Sequence, residues 1–176
     1  MHVKGLVAVA VLATFTAGCA TSQIKRTAQY DERINFANYD TFFLLAGHSS
    51  GNPVTDDRLA SDVKSTLMSK GWVAVPPGDG EAAVVVHVAT SAAHSDESFY
   101  TGWGDWQWRA TGFTGPGNAG QDYKPGTIVV TIFDAESKRA IWRGSATDAI
   151  SNNPKHAAMT RETAVAKLFS RFPPAQ

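Results

Sequence analysis

The chain is poor in cysteine, carries no excess of charge of either sign, and has no apolar run long enough to cross a bilayer. Its single cysteine, Cys19, lies near the start, so the remainder holds no thiol. That excludes a disulfide framework of the kind that staples small secreted domains, and it removes any thiol nucleophile from the body of the chain. The 16 basic and 16 acidic side chains cancel. A nucleic-acid binder needs a basic face to meet phosphates, so no partner of that class is expected. The apolar stretch from Leu6 to Phe15 is about ten residues, half of the roughly twenty that a bilayer core requires.

What stands around Cys19 accounts for its being there. Lys4 supplies a short basic region, the apolar stretch follows, and Thr16-Ala17-Gly18-Cys19 closes it, the order of parts in a secretory signal. Small residues before a cysteine at that place resemble the lipobox cut by the lipoprotein signal peptidase, although leucine is the common residue where Thr16 stands. The competing readings are an ordinary signal with an incidental cysteine, or an uncleaved anchor. The expectation is therefore a signal over 1–18, a lipidated tether over 19–29 and a single periplasmic domain over 30–174. Ala20 is not aspartate, which in lipoproteins of this type implies transfer to the cell outer membrane. The expected partner is thus the membrane, through lipid on Cys19, with the domain facing the periplasm. Each buried methylene contributes about 0.8 kcal/mol, so several acyl chains anchor durably where one would not.

Beyond residue 20, small and polar residues up to about Gln29 read as a tether or as the lead into an edge strand. Tyr39 to Leu45 is a compact aromatic and aliphatic run, ended by Gly47 and Ser49-Ser50-Gly51: a buried strand and its turn. Asn52-Pro53 opens a helix, with Asp56 and Asp57 where the helix dipole favours negative charge. Leu59, Val63, Thr66 and Leu67 share one face, and Gly71 sits where a left-handed cap closes the helix. Trp72 to Val75 is a short strand before Pro76-Pro77-Gly78. Ala82 to Ser91, Thr127 to Asp134 and Ala140 to Asp148 are three longer strands, the last two a hairpin through 135–139. A final helix opens at Asn153-Pro154, carries Ala158, Arg161, Val165, Leu168, Phe169 and Phe172 at helical spacing, and stops before Pro173-Pro174. Only one helix joins successive strands, so a doubly wound sheet is excluded. The expected fold is α+β, a two-layer sandwich of a mainly antiparallel sheet with two helices packed on one face.

Several of these pieces occur together in a known group. The Cys19 lipobox, Tyr39-Asp40-Thr41-Phe42, Asn52-Pro53 leading through Asp57-Arg58 to Lys70-Gly71-Trp72, Ile141-Trp142-Arg143-Gly144 and the closing Phe172-Pro173-Pro174 resemble the bacterial family of lipoprotein-like chains catalogued as domain of unknown function 4136. The likeness runs from about Tyr30 to Pro174 and departs from the usual pattern mainly between Ser95 and Pro125. It implies a location and a fold type. It lends no catalytic residue, since the family has no established activity.

Residues 95–125 ask for a functional account. About thirty residues rich in glycine and aromatics stand where a connection of four to six is usual. Tyr100, Trp103, Trp106 and Trp108 could contact an envelope glycan or a protein partner as an exposed surface, or fold back over the sheet face that the helices leave bare. The histidines form no zinc-like pair, and His87, on a strand face with Val85 and Ala89, reads as a packed residue. Asp96-Glu97 with Asp105 lack the alternating oxygen ligands of a calcium loop. Phosphate-binding glycine loops that join strand to helix are absent too. No cofactor, metal or catalytic residue is expected. The function this supports is non-enzymatic binding or scaffolding in the cell envelope, with a small cell-envelope hydrolase as the alternative.

Overall fold

A computed structural model describes residues 24–47, 49–90, 123–147, 149–150 and 154–172, the side chains of 154–159 and 171 not among them. Six strands form one mixed sheet: β1 (Arg26–Tyr30), β2 (Thr41–Leu45), β3 (Val73–Ala74), β4 (Ala82–Ala89), β5 (Thr127–Asp134) and β6 (Ala140–Ala146). Among the described residues two helices accompany them, α1 (Pro53–Ser69) and α2 (Pro154–Leu168), with 3-10 turns at Phe36–Asn38 and Phe169–Arg171. The strand order is β1-β6-β5-β4-β2-β3. β2 runs parallel to both β3 and β4, and the other pairs are antiparallel. The fold is α+β. Of the two readings of the stretch before residue 30, the edge strand holds for 26–30, so the folded part begins by Arg26 rather than at residue 30.

The parallel pair follows from α1, which carries the chain from β2 back to the start of β3. Asn52 caps it: its side-chain oxygen accepts from the amides of Val54 and Thr55, with Pro53 in the first turn. Lys70 follows, and Gly71 at φ 95° takes the left-handed conformation that ends the helix. From the two-residue β3, the 75–81 connection returns past the start of β2, held there by Glu81. Its carboxylate accepts from the amides of Asp40 at 2.8 Å and Thr41 at 3.0 Å. Those backbone bonds lower its pKa below the ordinary carboxylate value.

Both helices pack on the same face of the sheet. Leu59, Val63 and Leu67 of α1 and Ala164, Val165 and Leu168 of α2 join Phe42, Val84, Val88, Val130, Ile132 and Trp142 in one core. Aromatic rings close one end of it: Trp142 stacks on Phe169 with centroids 5.1 Å apart, and Phe172 meets Trp142 and Trp72 edge-on at 5.2 Å. Arg161 of α2 reaches Asp62 of α1 in a part-buried ion pair.

The opposite face is buried along its centre as well. Val85, His87, Val129, Thr131 and Phe133 are fully or almost fully covered, and no residue of a described helix joins the clusters on that side. Strands buried on both faces read as the near-continuous apolar runs seen at 82–89 and 127–134. A register shift at Ile132/Phe133 pairs Phe133 with Ala140 and Ile132 with Trp142, leaving Ile141 as the extra residue of a bulge. Simple alternation puts Ala140 beside Trp142. The bulge instead places Ala140 with Phe133 on the opposite face, while Gly144 stays with Trp142. Among the described residues no helix is long and apolar enough to cross a membrane.

Candidate functional site

The concavity with convergent polar groups lies where β2 ends and α1 begins. β2 and β4 are parallel neighbours, and from the carboxyl end of β2 the chain continues toward α1. The carboxyl end of parallel strands is a common place for ligands. After Leu45 the chain lies so close along β4 that a Cβ on Gly47 would overlap the carbonyl of Val86. Only glycine permits that approach.

The following turn is tied together by short side chains. The amide of Gly51 donates to the Ser49 hydroxyl at 3.0 Å, and that of Asn52 to the Ser50 hydroxyl at 3.2 Å. Asp56, in the first turn of α1, reaches back so that its carboxylate accepts from the Ser49 hydroxyl and, at 2.9 Å, from the Ser50 amide. Burial pushes the Asp56 carboxyl up, but these hydrogen bonds outweigh it and hold its pKa below the ordinary value.

Between this turn and the sheet is a cleft of about 270 Å³, near the lower end for ligand sites. Leu44, Leu45, Leu59, Ala60, Val86 and Val88 make its walls, and Ser49, Asp56 and Asp57 its polar end. No cationic side chain is among its described lining residues. The Asp57 carboxylate accepts no hydrogen bond among the described residues. Hydrocarbon walls with an anionic mouth can hold an apolar group. Ser49 is occupied as a donor to Asp56, and no described lining residue is a histidine or lysine able to take a proton from it.

A family model described as domain of unknown function (DUF4136) matches residues 26–174. The chain belongs to this family. The DUF4136 chain is similar in fold to a DUF4136 family protein from Bacteroides thetaiotaomicron, with a TM-score of 0.60 at 15% identity, covering 87% of this chain and 97% of that one. It is also similar to PelC of Paraburkholderia phytofirmans, which forms a dodecamer, with a TM-score of 0.52 at 13% identity over 87% and 99% of the two chains. A PDZ domain protein from Parabacteroides distasonis matches with a TM-score of 0.53 at 11% identity, over 86% of this chain and 36% of that one. No curated protein matches in sequence.

Within this DUF4136 fold, Cys19, Tyr100, Trp103, Trp106 and Trp108 lie outside the described residues, as do His48, His94, Asp96, Glu97 and Asp105. His87 is fully buried in β4 opposite Val129. Asp56 and Asp57 sit at the helix start, as their spacing indicates, yet both also line the cleft. Among the described residues no group of three or more His, Cys, Asp or Glu could hold a metal.

Sequence reasoning missed the cleft because its walls come from β2, α1 and β4, each of which reads as ordinary core. The two arginines buried among the described residues were more legible in the sequence. Arg161 stands among apolar residues at helical spacing, and Arg143 follows Trp142 inside a strand, where its Nε donates to the Thr131 hydroxyl at 3.3 Å. A charge on an apolar face signals a buried partner.

Proposed function

We propose that this DUF4136 protein is an outer-membrane-anchored lipoprotein of the cell envelope, with a non-enzymatic binding or scaffolding role. Lipid on Cys19 holds it to the membrane, and the cleft at the start of α1 is its binding element. The observation that carries the binding reading is the cleft itself: aliphatic walls from three elements, closed at one end by an anionic turn whose hydroxyl groups are already engaged. A hydrolase needs a nucleophile with a base oriented to take its proton; Ser49 donating to a low-pKa carboxylate is a poor version of that pair, which favours binding over hydrolysis. The aromatic segment 95–125 is the proposed contact for an envelope glycan or protein, through Tyr100, Trp103, Trp106 and Trp108.

Anchoring is tested by Cys19→Ser in cells fed a labelled fatty acid. The expected result is loss of label and of membrane retention. A variant that keeps the membrane fraction and the mature mass refutes the lipoprotein assignment.

A further inference from the structure

The cleft also carries information about the charge of what it binds, and the following rests on its being the binding element. A helix N-terminus ordinarily favours an anion, because its first amides point outward unpaired. Here that capacity is used internally. Asn52 takes the amides of Val54 and Thr55 with its side chain, its carbonyl takes that of Asp56 at 3.1 Å, and the Asp56 carboxylate occupies the turn in front. An incoming anion would find two carboxylates and no described cation among the lining residues. The walls are different in character: Leu59 and Val88 are 1% and 3% exposed, and Leu44 and Val86 are half-buried around space that no described side chain fills. Asp57 stands exposed at the mouth, its carboxylate accepting no hydrogen bond among the described residues.

We propose that the cleft binds an alkylammonium group, its aliphatic stem laid along Leu44, Leu59, Val86 and Val88 and its cationic end at Asp57. The aliphatic stem contributes through burial, about fourfold in affinity for each methylene removed from water. The ammonium contributes selectivity: hydrocarbon walls accept amine, alcohol and carboxylate chains alike, and only the anionic mouth separates them. Lysine-type side chains of a peptide and free diamines share this chemistry.

The test uses the full chain in detergent with ¹³C-labelled leucine and valine methyl groups, titrated with butylamine, hexylamine, hexan-1-ol and hexanoate. Saturable shifts at Leu44, Leu59 and Val86 are expected with both amines, and two further methylenes should tighten binding about fifteenfold. Asp57→Asn should weaken the amines at least fivefold and leave hexan-1-ol unchanged, and Ala60→Leu, which fills the cleft, should abolish every shift while the circular dichroism spectrum is retained. Hexanoate binding as tightly as hexylamine, or Asp57→Asn without effect, overturns the alkylammonium assignment but leaves the cleft as a binding element. No saturable shift with any of the four overturns both. Peptide and free-amine sources are separated by titrating Nα-acetyl-lysine amide, whose main chain is blocked and side chain free, against pentane-1,5-diamine: stronger binding of the first supports a peptide side chain, and of the second a free amine. Failure of both while hexylamine binds overturns the assignment in favour of apolar partition.

Discussion

Trp142 and Gly144 provide the sharpest test of how this core is built. Trp142 is 1% exposed, stacks on Phe169 and receives the edge of Phe172. Replacing it with alanine removes the largest fully buried side chain among the described residues and leaves those two rings facing a void, a change that costs about 3–5 kcal/mol for a buried tryptophan. Domains of this size hold about 5–15 kcal/mol in all, so Trp142→Ala should be folded only marginally. The converse change is subtler. A Cβ on Gly144 would overlap the far ring carbon of Trp142 and lie 2.9 Å from Cδ2 of Leu168, so Gly144→Ala should cost about 1–3 kcal/mol through overpacking. Because one of the overlapped atoms belongs to the indole, Trp142→Phe should relieve part of that cost, and the double variant should be more stable than the two single losses added together. Urea unfolding followed by circular dichroism measures the parent and all four variants at unchanged m-value. Strict additivity, or a Trp142→Ala midpoint within error of the parent, would refute this account of β6 packing against α2.

Asn52→Ala removes the acceptor for two helix amides and should cost about 1 kcal/mol, lowering the melting temperature by about 2–4 °C; an unchanged melting temperature would mean that the cap is dispensable. Tyr39 is raised well above the ordinary tyrosine range by burial first and then by its hydrogen bond to Asp134 at 3.0 Å. A raised folded-state pKa means that the stabilisation is complete below about pH 10, where the unfolded tyrosine titrates, and is lost as pH rises further. Urea midpoints from pH 8 to 11 should therefore fall less steeply for Tyr39→Phe than for the parent, and identical slopes would remove Tyr39 from the alkaline transition. If Trp103, Trp106 and Trp108 form an exposed contact surface, serine at all three leaves the melting temperature nearly unchanged. Burial at about 25 cal/mol per Å² would instead make the change cost several kcal/mol, and a large drop would sink that assignment.

Local pattern was enough for several elements. The Asn52-Pro53 start, the Leu59, Val63, Leu67 stripe and Gly71 located α1 because capping and amphipathic periodicity are short-range properties. The β-branched run Thr127–Asp134 matched β5 at both ends for a similar reason. β1 was less legible: Arg26–Tyr30 is mostly exposed and apolar at few positions, so only pairing with β6 makes it a strand. Lys138 at φ 58° in the β5–β6 turn is of the same kind. Lysine has no preference for the left-handed region, and the backbone adopts it because the hairpin must close between two registered strands.

By itself, then, the sequence determined the limits of α1, the start of α2, the central strands, the α+β class and the exclusion of disulfide chemistry, all of which rest on neighbours within a few residues or on composition; α2 ends at Leu168, and Phe169–Arg171, read as its continuation, form a 3-10 turn. Tertiary structure decided the strand order, with β2 between β3 and β4, the bulge at Ile141 that moves Ala140 to the other face, and the pairing of Arg161 with Asp62. It also decided the cleft. Leu44, Asp57, Leu59, Val86 and Val88 belong to segments whose individual patterns report only burial or helix capping, and their convergence depends on a parallel pairing of β2 with β4 that no local pattern encodes.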